Sequence, residues 1–225
     1  MAIGIRIELN EQLYLRNPQD TDLGRKMISE GINLLDEIGF EALTFKKLAD
    51  RIGSTEASIY RYFENKHLLL IYLVSWYWQW VRYLCDINTI NITDPEEKLK
   101  IYINHFVFAS QTNPAVSYVD EHILHRVVIA ESQKVYHTKL VDNENRHGFF
   151  LNYKELIEMV AGVISEVKPE TQYPRAIAST LFEMANNHIF YAEHLPRLTD
   201  ARVLEDNLDQ IVEMVQYFAR KLLAP

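Results

Sequence analysis

The stretch FKKLADRIGSTEASIYRYFENK, residues 45–66, carries two short helical patterns separated by one glycine, Gly53. Thr44 is placed to cap the first, FKKLADRI, because its hydroxyl can accept from an unpaired N–H of the first turn. Ser54 or Thr55 is placed to cap the second, which reaches about Phe63 before Glu64-Asn65 interrupts it. Ile59 and Phe63, four residues apart, share a face and turn inward with Leu48, Ala49 and Ile52. Ala49 is small, as close approach of two helices requires. Glu56, Ala57, Tyr60 and Arg61 fall on the opposite face, around an exposed helix start. Two helices of seven to nine residues at a tight turn describe a helix-turn-helix. The second helix of that unit points its N-terminal residues at base edges in the major groove.

Upstream, a first helix is predicted over about Asp20–Ile38, with Leu23, Met27, Leu34, Leu35 and Ile38 on its apolar side. Gly39 stands where a carboxyl-terminal cap belongs. Residues 1–17 alternate at Ile3, Ile5, Ile7 and Leu9, a strand-like period that predicts an extended arm ended by the NPQD turn. Downstream, a long helix starts near Lys66 and reaches about Asp86. Breaks are expected at Asp94-Pro95, Asn113-Pro114, Asp142 to Gly148, Lys168-Pro169 and Leu195-Pro196, leaving helices of fifteen to twenty-five residues. The expected organisation is all-α: an arm over 1–18, a three-helix unit over 19–66, and a larger helical bundle over 67–225.

Composition supports this reading. Of 225 residues, 48% are hydrophobic and only seven are glycine, which suits a helical protein with a real core. The single cysteine, Cys85, excludes an intrachain disulfide and fits a reducing compartment. The opening MAIGIRIELNEQ has neither a basic region nor a continuous apolar run, so no signal peptide is expected and the location expected is cytoplasmic. Residues 68–85, LLLIYLVSWYWQWVRYLC, are long enough to cross a bilayer, but Ser75, Gln79 and Arg82 interrupt them. A central charge costs about 2.5–3.5 kcal/mol on insertion, so a helix buried in a bundle explains the segment better. The net charge of −8 argues against indiscriminate nucleic-acid binding, not against a local site.

Gly39-Phe40, Thr44, Leu48-Ala49, Ile52-Gly53, Ile59-Tyr60-Arg61-Tyr62-Phe63, Lys66 and Leu68-Leu69 together resemble the TetR-type bacterial transcriptional regulators over about residues 21–70. The resemblance implies an N-terminal helix-turn-helix DNA-binding domain followed by an effector-binding and dimerising helical domain. It also implies phosphate contacts from Thr44, Thr55, Tyr60, Tyr62 and Lys66, and base contacts from residues 55–58 and 60. Lys46, Ser54, Glu56, Ala57, Ser58 and Arg61 complete the candidate DNA-binding set. Phosphate contacts set register rather than sequence choice.

Three departures stand out. Lys47 replaces the acidic residue that usually closes a capping box with Thr44, Glu56 replaces a basic or small residue, and the arm is longer and less basic than usual. From Gly39 to Leu70, five basic residues face four acidic ones, so counterion release should be modest. Glu56 has two compatible readings, a complement to the helix dipole or an acceptor for a cytosine amine. Tyr60 and Tyr62 either reach phosphate or pack against the next helix.

In the second domain, Trp76, Trp78 and Trp80 are too close in sequence to share one face, so their helix needs cover on several sides. Trp76, Trp80 and Tyr83, with His105, Phe108, Tyr118, His122 and His125, are candidates either for an effector pocket or for plain core. His122 and His125 have the spacing of metal ligands but no third ligand is legible, and neither metal nor cofactor is assigned. Ile177, Leu181, Met184, His188 and Tyr191 form one heptad seam, and Leu204, Leu208, Ile211, Val215, Phe218 and Leu222 form another. The seams either cover each other or, as the resemblance implies, build a dimer interface.

The reading that follows is a homodimeric regulator, a repressor, that binds a palindromic double-stranded DNA operator and responds to a small-molecule effector. Its rivals are a helical interaction module using the helix-turn-helix as scaffold, and a helical-bundle enzyme. No Gly-rich phosphate loop, HExxH or GxSxG supports the enzyme.

Overall fold

Helical periodicity carries through to the computed structural model, which describes residues 7–109, 118–203 and 207–224. Among them the helices are α1 (Asp22–Ala42), α2 (Phe45–Ile52), α3 (Glu56–Tyr60), α4 (Lys66–Thr89), α5 (Pro95–Val107), α6 (Glu121–Glu131), α7 (Gln133–Tyr136), α8 (Val141–Arg146), α9 (Leu151–Val167), α10 (Pro174–His194) and α11 (Asp209–Leu223), with three short 3-10 turns. They gather into two units, one from residues 1–79 and 110–152, the other from 80–109 and 153–225. Both cuts between Gln79 and Trp80 and between Asn152 and Tyr153 fall inside a helix, α4 and α9.

In the first unit, α1 packs on α2 and α6, and α2 on α3. Met27, Ile28, Ile32, Leu35, Leu48, Ile52, Ile59 and Phe63 are all buried, each worth about 1.5–3 kcal/mol in transfer from water. From Leu69 to Trp78, α4 is buried on all sides, Trp76 included.

Helix α1 does not stop at Ile38. It kinks at Gly39, whose φ of 72° suits a residue without a Cβ, and continues to Ala42. Three side chains make the continuation possible. Glu131 Oε1 accepts from the Phe40 N–H at 3.0 Å, and Lys47 Nζ donates to the Ala42 carbonyl at 2.8 Å. Lys66 Nζ donates to the carbonyls of Phe40, Glu41 and Leu43 at 2.8, 3.1 and 3.1 Å. Carbonyls that end a helix without partners are thereby satisfied.

Of the arm, Ile3 and Ile5 lie outside the described residues. From Ile7 onward the chain is not a strand. Asn10 and Asn17 each accept from the N–H two residues on and open 3-10 turns at Glu11–Leu13 and Pro18–Asp20. Such local side-chain bonds compete with extended pairing. Ile7 and Leu13 are buried, and Leu15 N–H donates to Tyr62 O at 2.8 Å, so this segment packs on its own unit.

Of residues 142–148, expected to be a break, 142–146 instead form most of α8, which ends at Arg146, and Gly148 follows with φ 76°. With α6 and α7 also short, this part of the chain falls below the fifteen-residue helices expected. Asn113-Pro114 lies outside the described residues.

In the second unit, α5, α10 and α11 pack on one another around Ile103, Phe106, Leu181, Phe182, Ile211 and Val215. Pro95 opens α5 behind the Asp94 cap, and α9 and α10 end just before Pro169 and Pro196, as expected. No helix among the described residues is long and apolar enough to cross a membrane.

This packing makes two outcomes testable. Lys66→Met removes the ammonium that the Phe40, Glu41 and Leu43 carbonyls share and should lower unfolding free energy by about 1–3 kcal/mol in denaturant titrations, against little change for exposed Lys46→Met. His125 is buried in the first unit, its ring stacked on Tyr77 at 5.5 Å and 11°. Burial, then the nearby His122 and Arg126 charges, lowers its pKa to about 3. The unfolded chain therefore binds this proton first, and stability falls as pH drops from about 6.5 toward 3. Thermal melts of His125→Phe across that window should show a flatter decline than the parent.

Candidate nucleic-acid interface

The start of α2 is made by Thr44, whose Oγ1 accepts from the Lys47 N–H at 3.2 Å. That bond leaves the hydroxyl hydrogen free to donate. Lys47 cannot close a capping box, and its ammonium turns back to α1. Gly53, in the left-handed region with φ 67°, reverses the chain, and Ser54 N–H donates to Ala49 O at 2.9 Å.

Thr55 occupies the N-cap of α3 but makes no capping bond; its hydroxyl pairs with Ser58 Oγ at 2.9 Å. Arg61 Nη2 donates to the same Ser58 oxygen at 3.1 Å. Ser58 is therefore buried and joins Thr55 to Arg61 rather than facing outward. Ser54 is half-buried, and Ala57 and Glu56 are exposed. The Glu56 carboxylate makes no hydrogen bond or ion pair among the described residues. Its place at the first residue of α3 complements the helix dipole.

The two tyrosines separate. Tyr60 is 47% exposed, and its ring stands edge-on to Phe45 at 5.0 Å, with the hydroxyl unpaired among the described residues. Tyr62 is 3% exposed, shares a 2.7 Å hydrogen bond with Thr21 Oγ1, and lies beneath the Arg16 guanidinium at 5.5 Å. Tyr62 is therefore packed inward, with Thr21 and Arg16 as its contacts instead of the next helix that was expected. Lys66 likewise leaves the candidate phosphate contacts, since all three ammonium protons go to α1 and Leu43 carbonyls. Phe45, the brace for Tyr60, escaped sequence reasoning; an aromatic at the first position of α2 was its only signal.

Electrostatics narrows the face further. Arg51 is held by both Glu37 oxygens, at 2.7 and 2.5 Å, and by Glu30 at 3.1 Å. These bonds raise the guanidinium pKa and lower that of Glu37. Of the candidate set, Thr44, Lys46, Thr55, Glu56, Ala57, Tyr60 and Arg61 remain exposed. Such a set can donate to phosphate oxygens from both helix starts and present one carboxylate to a base edge.

The eight pocket candidates divide between the units. Trp76, Tyr118, His122 and His125 belong to the first, where Tyr118 donates to Gln19 Oε1 at 2.8 Å and His122 is exposed while His125 is buried. Trp80, Tyr83, His105 and Phe108 belong to the second. There Trp80 is buried, donates to Ala109 O at 3.2 Å and stacks on Tyr83 at 5.5 Å. Burial lowers the His105 pKa. Core packing accounts for both tryptophans.

The heptad seams also split. Leu181, Ile211 and Val215 are buried within the second unit, so they are core rather than free interface. Ile177, Met184, His188, Tyr191 and Leu208 are half-buried, and Phe218 and Leu222 are 39% and 47% exposed. His188 Nδ1 bonds Thr199 Oγ1 at 2.8 Å. Leu204 lies outside the described residues.

Comparison with known proteins agrees with this geometry. Residues 27–73, from α1 into α4, match the sequence model of the tetR family of bacterial regulatory proteins. A 44-residue segment is 41% identical to the tetracycline repressor protein class G of Vibrio anguillarum, covering 20% of this chain and 21% of that protein. The fold is shared more widely. AibR, solved in complex with isovaleryl coenzyme A and operator DNA, superposes with TM-score 0.59 at 16% identity, over 89% of this chain and 99% of that one. The fatty acid degradation regulator FadR from Bacillus halodurans gives 0.61 at 20%, over 91% and 96%. The transcriptional regulator PfmR from Thermus thermophilus gives 0.55 at 14%, over 88% and 96%. Over residues 27–73, the segment that holds its helix-turn-helix, the chain is thus similar to the tetR family of bacterial regulatory proteins.

Proposed function

We propose that the protein is a cytoplasmic transcription regulator, a repressor, that binds a palindromic operator as a homodimer. One observation carries the reading: along α2, α3 and their caps, Thr44, Lys46, Thr55, Glu56, Ala57, Tyr60 and Arg61 are exposed, while Phe45, Leu48, Ile52 and Ile59 are buried. A recognition helix of this kind meets one major-groove segment, and two copies read half-sites about one helical turn apart. The tetracycline repressor that matches a 44-residue segment of this chain, and the AibR structure with operator DNA, support that reading.

The dimer would form through the open parts of α10 and α11. Met184, His188 and Tyr191 on α10, and Tyr217, Phe218 and Leu222 on α11, are large side chains that their own unit leaves partly uncovered. Exposed apolar patches of this type mark association surfaces. An effector would act by preferring one spacing of the two DNA-binding heads, which shifts the population competent for the operator. The isovaleryl coenzyme A held by AibR supports a ligand-responsive reading. The protein is then a binding protein and not an enzyme, and the helix-turn-helix is a working surface and not only a scaffold.

Selection of bound sequences from random DNA, followed by titration at fixed salt, tests this proposal; no enrichment at low salt would refute it. In the same titrations Tyr60→Phe should weaken every site by a similar factor, about five-fold for one lost hydrogen bond. Glu56→Ala should instead change the ranking of operator variants, and an unchanged ranking would rule out base readout by Glu56. Phe218→Asp should shift the protein toward monomer in sedimentation experiments and reduce operator affinity with it.

A further inference from the structure

The arm over residues 7–20 has no role in the DNA-binding reading, yet it is tied down at several points within the first unit. Leu13 is fully buried, and the Tyr14 ring stands edge-on to Tyr72 of α4 at 6.1 Å. Asn10 Nδ2 donates to the His147 carbonyl, just past α8, at 2.7 Å. Gln19 Nε2 donates to the Ile7 carbonyl at 2.7 Å, and Gln19 Oε1 accepts from the Tyr118 hydroxyl at 2.8 Å. Two glycines make room for this path. A Cβ at Gly24 of α1 would stand 2.2 Å from the Pro18 carbonyl oxygen, and one at Gly148 would stand 3.2 Å from Asn10 Nδ2. The course of the arm is therefore built into the elements that it crosses.

Its firmest hold is on the end of α3. Leu15 N–H donates to the Tyr62 carbonyl at 2.8 Å, and the Arg16 guanidinium lies 5.5 Å from the centre of the Tyr62 ring. Thr21, where the arm enters α1, shares a 2.7 Å hydrogen bond with the Tyr62 hydroxyl. One short stretch thus grips Tyr62 at its carbonyl, its ring and its hydroxyl. The N–H groups of Tyr62 and Phe63 in turn donate to Ile59 O at 2.8 and 3.1 Å, so whatever fixes Tyr62 bears on the last turn of α3. At the other end of α3, Thr55 makes no capping bond. A five-residue helix has little stiffness of its own. Burial of Ile59 and Phe63 seats it, but apolar contact is not directional, whereas a hydrogen bond is. The directional restraint at its carboxyl end comes from the arm.

We propose that residues 10–21 act as a strap that fixes the orientation of α3, with Leu15 and Tyr62 as positioning residues for operator recognition. The part played in recognition rests on the DNA-binding reading; the restraint on α3 does not. Tyr62 is buried and Leu15 acts through its backbone N–H, so neither has to meet DNA. The charge of the arm fits a strap better than a phosphate contact. Over residues 7–20, Glu8, Glu11 and Asp20 outnumber the one cation, Arg16, and Arg16 is turned onto Tyr62.

The test compares Leu15→Pro, which deletes the N–H donor, with Leu15→Ala, which keeps it and trims a side chain already 59% exposed. The extended backbone of Tyr14, φ −145° and ψ 153°, accepts a following proline. Without DNA, amide exchange at Tyr62 and Phe63 should quicken about five-fold in Leu15→Pro and stay within about two-fold of the parent in Leu15→Ala. On an operator selected by the parent, Leu15→Pro should lose most of the roughly ten-fold preference over a site with one base pair changed, and Leu15→Ala should keep it. Gly24→Ala, favourable in an ordinary helix, should instead act like Leu15→Pro because its Cβ displaces Pro18. It stands in if Leu15→Pro does not fold. Equal exchange in the proline and alanine variants would overturn the strap. Faster exchange with undiminished operator preference would overturn its part in recognition. A parent that selects no DNA would sink the DNA-binding reading and leave exchange to decide the strap.

Discussion

A helix of five residues has too few internal hydrogen bonds to stand on its own, and α3 is such a helix. It exists because Ile59 and Phe63 are driven into the apolar layer of Leu48, Ala49 and Ile52. That burial sets the angle of α3, and the angle sets which side chains face outward. Ser58, Thr55 and Arg61 are tied together in consequence, and Tyr60 is braced on Phe45. The outward face is thus a by-product of packing on the inward one.

The carboxyl end of α1 imposes the second constraint. By continuing past Gly39, α1 leaves carbonyls that need donors, and the donors nearest are lysines that would otherwise be free cations. Lys47 and Lys66 are drawn away from the outer face, and Arg51 is drawn to Glu30 and Glu37. Of five basic residues between Gly39 and Leu70, only Lys46 and Arg61 keep their charge available there, Arg61 while holding Ser58. Attraction to the phosphate backbone is correspondingly weak, so selectivity on the proposed DNA would rest on geometry, on the paired half-sites, and on the uncommitted carboxylate of Glu56.

Much of this architecture was legible in the residues. The caps at Thr44 and Gly53, the inward set around Ile59, the all-round burial of the three tryptophans and the proline-marked ends of α5, α9 and α10 follow from local chemistry and periodicity. The failures share a cause. The break expected at 142–148 became α8, and the arm beyond Ile7 became two turns, because short polar segments take their conformation from what they pack on. Heptad spacing showed that α10 and α11 carry apolar seams, but the same spacing serves internal and external partners equally well. Leu181, Ile211 and Val215 proved internal, while Phe218 and Leu222 remained open.

Sequence alone determined the helical class, the helix-turn-helix and its resemblance to the tetR family, since those depend on spacing, caps and turn residues that act over a few positions. Tertiary structure alone decided which polar side chains are free. Tyr60 and Tyr62 sit two residues apart with the same hydroxyl, yet one is exposed and the other is closed against Thr21. Lys46 and Lys66 carry the same charge, yet one is available and the other holds the end of α1. Glu144 falls in the polar run where a break was expected, and only the fold buried it beside His67. The physical reason is the same in each case. A hydrogen bond or a charge is assigned by its nearest partner in space, and for Tyr62, Lys66 and Glu144 that partner lies 41, 26 and 77 positions away along the chain.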